Sequence, residues 1–206
     1  MPVIVVANPK GGVGKTTLAT NVAGWFASNG HPVMLGDVDR QHSARTWLAL
    51  RPAGLPRIAA WEVAHDDIVR PPKGTTHVVL DTPAGLHGKK LDEVMKIADR
   101  VLLPLQPSIF DIYATRDFLD ALLARRKSER VDVAVVGNRV REGTIAAEQL
   151  AAFLAKLGVP VLGHLRDTQN YIHLAARGLT LWDVAPSRVE KDLEQWAPLT
   201  RWALAS

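Results

Sequence analysis

The segment Asn8-Pro9-Lys10-Gly11-Gly12-Val13-Gly14-Lys15-Thr16-Thr17 carries the residue types that a phosphate site needs. Glycines let consecutive backbone N–H groups turn toward one point, and a helix starting at the last of them adds its positive end. Lys15 then stands where it could reach β and γ phosphates, and the Thr16 hydroxyl where it could ligate Mg2+. The pattern G-x-x-x-x-G-K-[ST], anchored on Gly14, wants glycine at position 9, where this chain has Pro9. Lys10 follows instead, just ahead of Gly11-Gly12. A chance turn would need two lysines, three glycines and two threonines to fall in this order at a strand–helix junction, so nucleotide binding is the better reading.

Four further side chains could serve a bound nucleotide. Gly36-Asp37-Val38-Asp39-Arg40-Gln41 ends a strand with two aspartates at i and i+2, projecting from the carboxyl edge of a sheet. Either aspartate could instead cap the following helix. The run His77-Val78-Val79-Leu80-Asp81-Thr82-Pro83-Ala84-Gly85 is apolar and then acidic. Such endings are common, but one placed about 65 residues after the phosphate loop could hold Mg2+ or its water shell through Asp81. Asn138 follows a strand; its carboxamide offers a donor and an acceptor to adenine, although asparagine is also an ordinary turn residue.

These residues need a frame. The 206-residue chain is 47% hydrophobic and 22% charged, the balance of one soluble domain with a real core. Short β-branched runs alternate with helical stretches, which predicts a single-domain α/β fold: a doubly wound, mostly parallel twisted sheet with helices on both faces. Strands are expected at Val3–Ala7, Pro32–Asp37, His77–Asp81, Val101–Leu105, Val131–Gly137 and Val159–Gly163, with a weaker one near Arg57–Ala60. Helices are expected at Lys15–Asn29, Ser43–Leu50, Gly88–Ala98, Asp111–Ser128, Thr144–Leu157, Gln169–Arg177 and Ser187–Leu204, with Asp111 and Ser187 as N-caps. Arg51–Pro56 and Arg70–Thr75 read as loops, and no internal repeat or linker divides the chain.

Composition removes several classes. The chain has no cysteine, which excludes disulfides, thiolate metal sites and cysteine nucleophiles and suits a reducing cytoplasm. Met1-Pro2-Val3-Ile4-Val5-Val6 lacks a basic leader and reads as a buried strand, and no apolar run approaches the roughly 20 residues of a membrane span. Because the phosphate loop begins within ten residues of Met1, no N-terminal module is expected before it.

With Lys10-Gly11-Gly12-Val13-Gly14-Lys15-Thr16, the two aspartate motifs and Thr82-Pro83-Ala84-Gly85, the chain resembles the ParA/MinD family of deviant Walker A P-loop ATPases. It is most similar in outline to short ParA-like partition proteins without an N-terminal DNA-binding domain. The resemblance covers Val3 to about Arg201 and implies ATP/ADP and Mg2+ as ligands. It assigns phosphate binding to Gly11, Gly12, Val13, Gly14, Lys15, Thr16 and Thr17, and adenine contact to Asn138. Thr16, Asp81 and Asp39 would serve the metal, and Gly85 the switch. It makes Lys10 the residue that crosses a nucleotide-sandwich homodimer to the partner's ATP, Lys15 a catalytic cation, and Asp39 the group that positions attacking water. Asp37 would support it. Arg40 departs from the family's proline in D-x-D-P-Q, which puts the rigidity of that loop in question. Pro104–Asp111 resembles the segment that lies against the dimer partner, while Leu165–Thr168 and Gly178–Thr180 resemble the region closing around the base.

The implied function is a dimerising switch ATPase, slow and partner-stimulated, that positions a plasmid, chromosome region or protein cargo. It would work through a ParB-like or cargo adaptor and associate with the nucleoid when ATP-bound. The net charge of +4 and pI near 9.6 favour polyanions. Lys89–Lys90, Arg125-Arg126-Lys127 with Arg130, Arg139 with Arg141, and Arg177 with Arg188 and Lys191 are weak basic patches that a dimer would double, giving non-specific DNA binding. A MinD-like membrane role is a second reading. Against it, Pro198 interrupts the stripe Val189, Leu193, Trp196, Leu199, and Glu190, Asp192 and Glu194 oppose anionic lipid, so the stripe is expected to pack on the domain. A third reading is an ATP-dependent biosynthetic synthetase of the same superfamily, for which no second substrate pocket is evident.

Overall fold

A computed structural model describes residues 2–61, 71, 73–125 and 131–205. The elements run β1 (Val3–Val6), α1 (Lys15–Ser28), β2 (Val33–Asp37), α2 (Ser43–Leu50), β3 (Ile58–Trp61), β4 (His77–Asp81), α3 (Gly88–Ile97), β5 (Arg100–Leu105), α4 (Ile109–Arg125), β6 (Asp132–Val140), α5 (Ile145–Leu154), β7 (Val161–Arg166), α6 (Asn170–Ala175) and α7 (Glu190–Leu204). Two short 3-10 turns, Leu181–Asp183 and Pro186–Arg188, precede α7.

The strands form a seven-stranded sheet in the order β3-β2-β4-β1-β5-β6-β7, and each recorded pairing is parallel. Connections leaving β1 go to one side through β2 and return at β4, then continue to the other side through β5. β1 therefore sits at the switch point, where a doubly wound sheet leaves a crevice at its carboxyl edge.

The continuous apolar runs follow from burial on both faces. Along β1, Val3 and Val5 point into a core shared with Leu91, Val94, Leu119, Leu122 and Leu150 of α3, α4 and α5. Ile4 and Val6 point the other way, into a core shared with Leu18, Val22 and Phe26 of α1, Trp47 of α2, and Trp196 and Leu199 of α7. The sequence expectation of a mostly parallel sheet covered on both faces is met, and the weak strand near Arg57–Ala60 is the edge strand β3.

Several boundaries differ. Asp111 is not an N-cap: α4 starts at Ile109, and the Ser108 carbonyl already accepts from Asp111 and Ile112, which leaves Asp111 in the first turn. Ser187 lies inside a 3-10 turn, and the residue preceding α7 is Val189. Pro198 does not interrupt α7, which runs through it. β7 begins and ends later than expected, around a left-handed Gly163 (φ 97°) and two register shifts against β6. The expected helix end at Ser128, loop residue Arg70 and the basic residues Arg126, Lys127 and Arg130 lie outside the described residues.

Candidate nucleotide site

β1 delivers the chain to Asn8, whose fully buried side chain anchors the loop. Its Oδ1 accepts from the Lys10 N–H (2.8 Å), and its Nδ2 donates to the Pro104 carbonyl (2.8 Å) and the Thr115 hydroxyl (3.0 Å). The loop is thereby tied to the end of β5 and to α4. The Gln106 amide donates to the Gly12 carbonyl (2.9 Å), and the Gly85 N–H to the Pro9 carbonyl (2.8 Å). Sequence reasoning did not single out Asn8 or Gln106 for this; their partners lie about a hundred positions away, and no local pattern marks them.

Gly14 has a specific reason to be glycine. Its φ is 92°, in the left-handed region, and a Cβ there would collide with the Asn138 amide nitrogen. Without one, Asn138 closes on the loop and donates to the Val13 carbonyl (2.8 Å). Asn138 lies inside β6, which runs on to Val140, and is buried.

α1 begins at Lys15 directly after the loop, aiming its free N–H groups into the crevice. The Lys15 ammonium donates to the Lys10 carbonyl (2.7 Å) across the loop. Burial lowers its pKa, and the charges of Asp81 and Asp39 oppose that shift. The Thr16 hydroxyl donates to Asp81 Oδ2 (2.6 Å), joining the helix start to the end of β4.

Asp81 is 1% exposed, and its other oxygen, Oδ1, has no hydrogen-bond partner among the described residues. Burial pushes its pKa up to about 7; Asp37 and Asp39 add to the shift, while the Thr16 hydrogen bond and Lys15 oppose it. A buried carboxylate oxygen left unpaired costs free energy, so the position favours a cation. A hydroxyl beside a carboxylate, with no cluster of three or more His, Cys, Asp or Glu among the described residues, fits Mg2+ held by few protein oxygens plus phosphate and water.

The two aspartates at the end of β2 and just past it separate in role. Asp37 pairs in register with Asp81, and its carboxylate accepts from the backbone of Asp39 (2.9 Å), Ala44 (2.8 Å) and Arg45 (3.1 Å). The capping alternative holds for Asp37: it satisfies the first turn of α2. Asp39 is half-buried and accepts from the Gln41 N–H (3.0 Å), an Asx turn that sets its side chain at the rim of the site. The Lys10 ammonium, also at the rim, makes no hydrogen bond or ion pair among the described residues. Thus Lys15, Thr16 and Asp81 come together at the loop, Asp39 lies beside them, Asn138 braces the loop, and the Lys10 ammonium bonds to none of them.

The chain is similar to known nucleotide-binding proteins. Residues 4–181 match the family described as CobQ/CobB/MinD/ParA nucleotide binding domain. The maintenance of carboxysome distribution protein A of Gloeobacter kilaueensis is 32% identical over 183 residues, covering 87% of this chain and 83% of that one. Among solved structures, the MinD cell division protein of Aquifex aeolicus superposes with a TM-score of 0.76 at 18% identity, covering 100% of this chain and 98% of that one. A plasmid partition protein of Borrelia burgdorferi B31 bound to AMPPNP gives 0.75 at 14% identity, covering 98% and 99%. At these identities the two structures speak for the fold alone.

Proposed function

The chain belongs to the CobQ/CobB/MinD/ParA nucleotide-binding family, and from that premise we propose that it is an ATP-driven positioning switch: an ATPase that pairs with a second copy when ATP is bound. The observation that carries the reading is the unpartnered Lys10 ammonium at the rim of an otherwise assembled phosphate grip.

In this reading the loop amides and Lys15 bind the phosphates of ATP, and Thr16 and Asp81 hold Mg2+. The metal, when bound, neutralises charge on the β and γ oxygens. Gly11, Gly12, Val13, Gly14 and Thr17 contribute backbone donors, and Asn138 offers what its carboxamide has left to the adenine. Asp39 orients water toward the γ phosphate, and Lys10 completes the second copy's site. The Gly85 N–H, bonded to Pro9, gives the segment after Asp81 a direct link to the loop that feels the γ phosphate.

The name of the Gloeobacter relative, which concerns carboxysome distribution, favours a protein cargo as the object moved; an adaptor protein would be the activating partner. For the track we favour non-specific DNA. Arg125 and Arg141 are paired with Asp92 and Asp167, both at 2.7 Å, which removes them as free phosphate binders. Lys89, Lys90, Arg139, Arg177, Arg188 and Lys191 remain exposed. Burial of Val189, Trp196 and Leu199 in the domain core spends that apolar stripe on packing, which weighs against the membrane reading. Retention of a DNA fragment in the presence of ATP, ADP or no nucleotide across a salt series tests the DNA assignment. ATP-dependent retention that weakens steeply with salt is expected; no retention at low salt would overturn it.

A further inference from the structure

α1 and α2 begin on either side of the phosphate site, α1 at Lys15 and α2 just past Asp39. Their far parts are joined by a segment of the chain more than 125 positions later. Arg51 ends α2, and all five of its guanidinium N–H donors have acceptors. Nε and Nη2 reach the Pro56 carbonyl (3.2 and 3.0 Å), Nη1 the Gly178 carbonyl (3.2 Å), and the two terminal nitrogens grip both oxygens of Asp183 (2.8 and 2.9 Å). The two side chains are 6% and 0% exposed. Asp183 in turn accepts from the N–H and hydroxyl of Thr180, both at 2.7 Å.

The same turn is locked to α1. The Asn21 side chain accepts from the Leu181 N–H (3.0 Å) and donates to the Thr17 carbonyl (2.8 Å), one residue past the metal-binding threonine. The Trp182 indole donates to the Asn21 carbonyl (2.9 Å). Two glycines allow close approach: a Cβ on Gly24 would lie 2.5 Å from the Thr180 side-chain Cγ2, and one on Gly178 2.5 Å from the Leu50 and Arg51 backbone. Contacts this close transmit displacement with little slack.

We propose that Arg51 and Asp183 are positioning residues for hydrolysis: they brace α2 against α1 and so fix Asp39 relative to Lys15 and Thr16. α2 has eight residues and is about 12 Å long, short enough to move as a rigid rod. Asp37 ties its first turn to the Asp39 backbone, so a shift at Arg51 is passed to the rim of the site. The inference rests on the reading of Asp39 as the group that orients water.

The experiment compares full-length wild type with Arg51→Met, Arg51→Lys, Asp183→Asn and Asp39→Ala, reading MgATP affinity, kcat and amide hydrogen exchange. Arg51→Met is expected to lower kcat about tenfold, as a misplacement of well under 1 Å can, with ATP affinity within twofold of wild type. Exchange should rise at Ala44 and Arg45 while that of β1 and α1 holds. Arg51→Lys and Asp183→Asn, which keep part of the grip, should recover part of the rate. Unaltered kcat in Arg51→Met alongside a stalled Asp39→Ala overturns the proposal, as does a loss of affinity in proportion to kcat or unchanged exchange at Ala44 and Arg45. Wild-type turnover by Asp39→Ala would overturn the reading of Asp39 instead, and the exchange result would still decide the brace.

Discussion

Asp81 ends β4 and Asp39 lies just past the neighbouring strand β2, yet the protein treats them oppositely. Asp81 is the last residue of a strand buried on both faces, joined to Thr16 and left with one unpartnered oxygen. Asp39 sits on a loop, half-exposed, held by an Asx turn and by the helix that follows. The inner half of the site is pre-formed by the sheet at the cost of burying a carboxylate; the outer half is placed by the loop leading into the short helix α2. A pre-formed grip suits binding, and a carboxylate on the more exposed rim suits a step completed only when the γ phosphate is in place.

The sharpest break between the halves comes from removing the inner cation. Lys15→Ala should weaken MgATP binding by about a hundredfold or more, since it deletes charge-assisted hydrogen bonds to phosphate in a buried site; equilibrium binding of a fluorescent ATP analogue checks this. Asp39→Ala should instead keep nucleotide affinity within a fewfold and lower kcat by about a hundredfold, the usual worth of a positioned general base. Single-turnover hydrolysis separates the two, and equal losses in affinity from both variants would erase the distinction.

A smaller effect is set by pH in the absence of metal and nucleotide. Burial holds the Asp81 pKa at about 7, above its ordinary 3.8, so the folded chain binds that proton more tightly than the unfolded one. Its contribution to stability is full below pH 3.8 and is lost as pH rises through about 7. His77, stacked on Phe26 and close to His31, is pushed by burial down to about 4 from 6.5. Its contribution is full above pH 6.5 and is lost as pH falls toward 4, the opposite slope in the same window. Thermal melts from pH 4 to 7 should therefore show Asp81→Asn gaining stability relative to wild type as pH rises. A constant offset would mean that the inner carboxylate is better hydrated than its burial indicates.

Much of the inner half is legible in the sequence because its signals are local. The glycine spacing, the lysines and the apolar run ending in Asp81 each sit within ten residues, and sheet register then brings them together. Position along the chain could not say whether Asp37 caps or catalyses; that answer lies in hydrogen bonds to Ala44 and Arg45. Asp111 and Ser187 satisfied the composition rule for N-caps but not the geometry, because neighbouring backbone had already opened each turn. Pro198 carries a penalty of about 3 kcal/mol inside a helix. Full burial of Trp196 and Leu199 on the same helix contributes roughly 1.5–3 kcal/mol each and offsets it. The Arg51–Asp183 grip spans 132 positions, and nothing near either residue marks it.

The central claim is that Lys10 serves another copy's nucleotide. Sedimentation of wild type and Lys10→Gln with MgATP, at a concentration that saturates both, tests it directly. Wild type should sediment as a dimer that reverts to monomer with ADP, while Lys10→Gln holds ATP with near-normal affinity and stays monomeric. A Lys10→Gln protein that dimerises with ATP as wild type does would contradict the account.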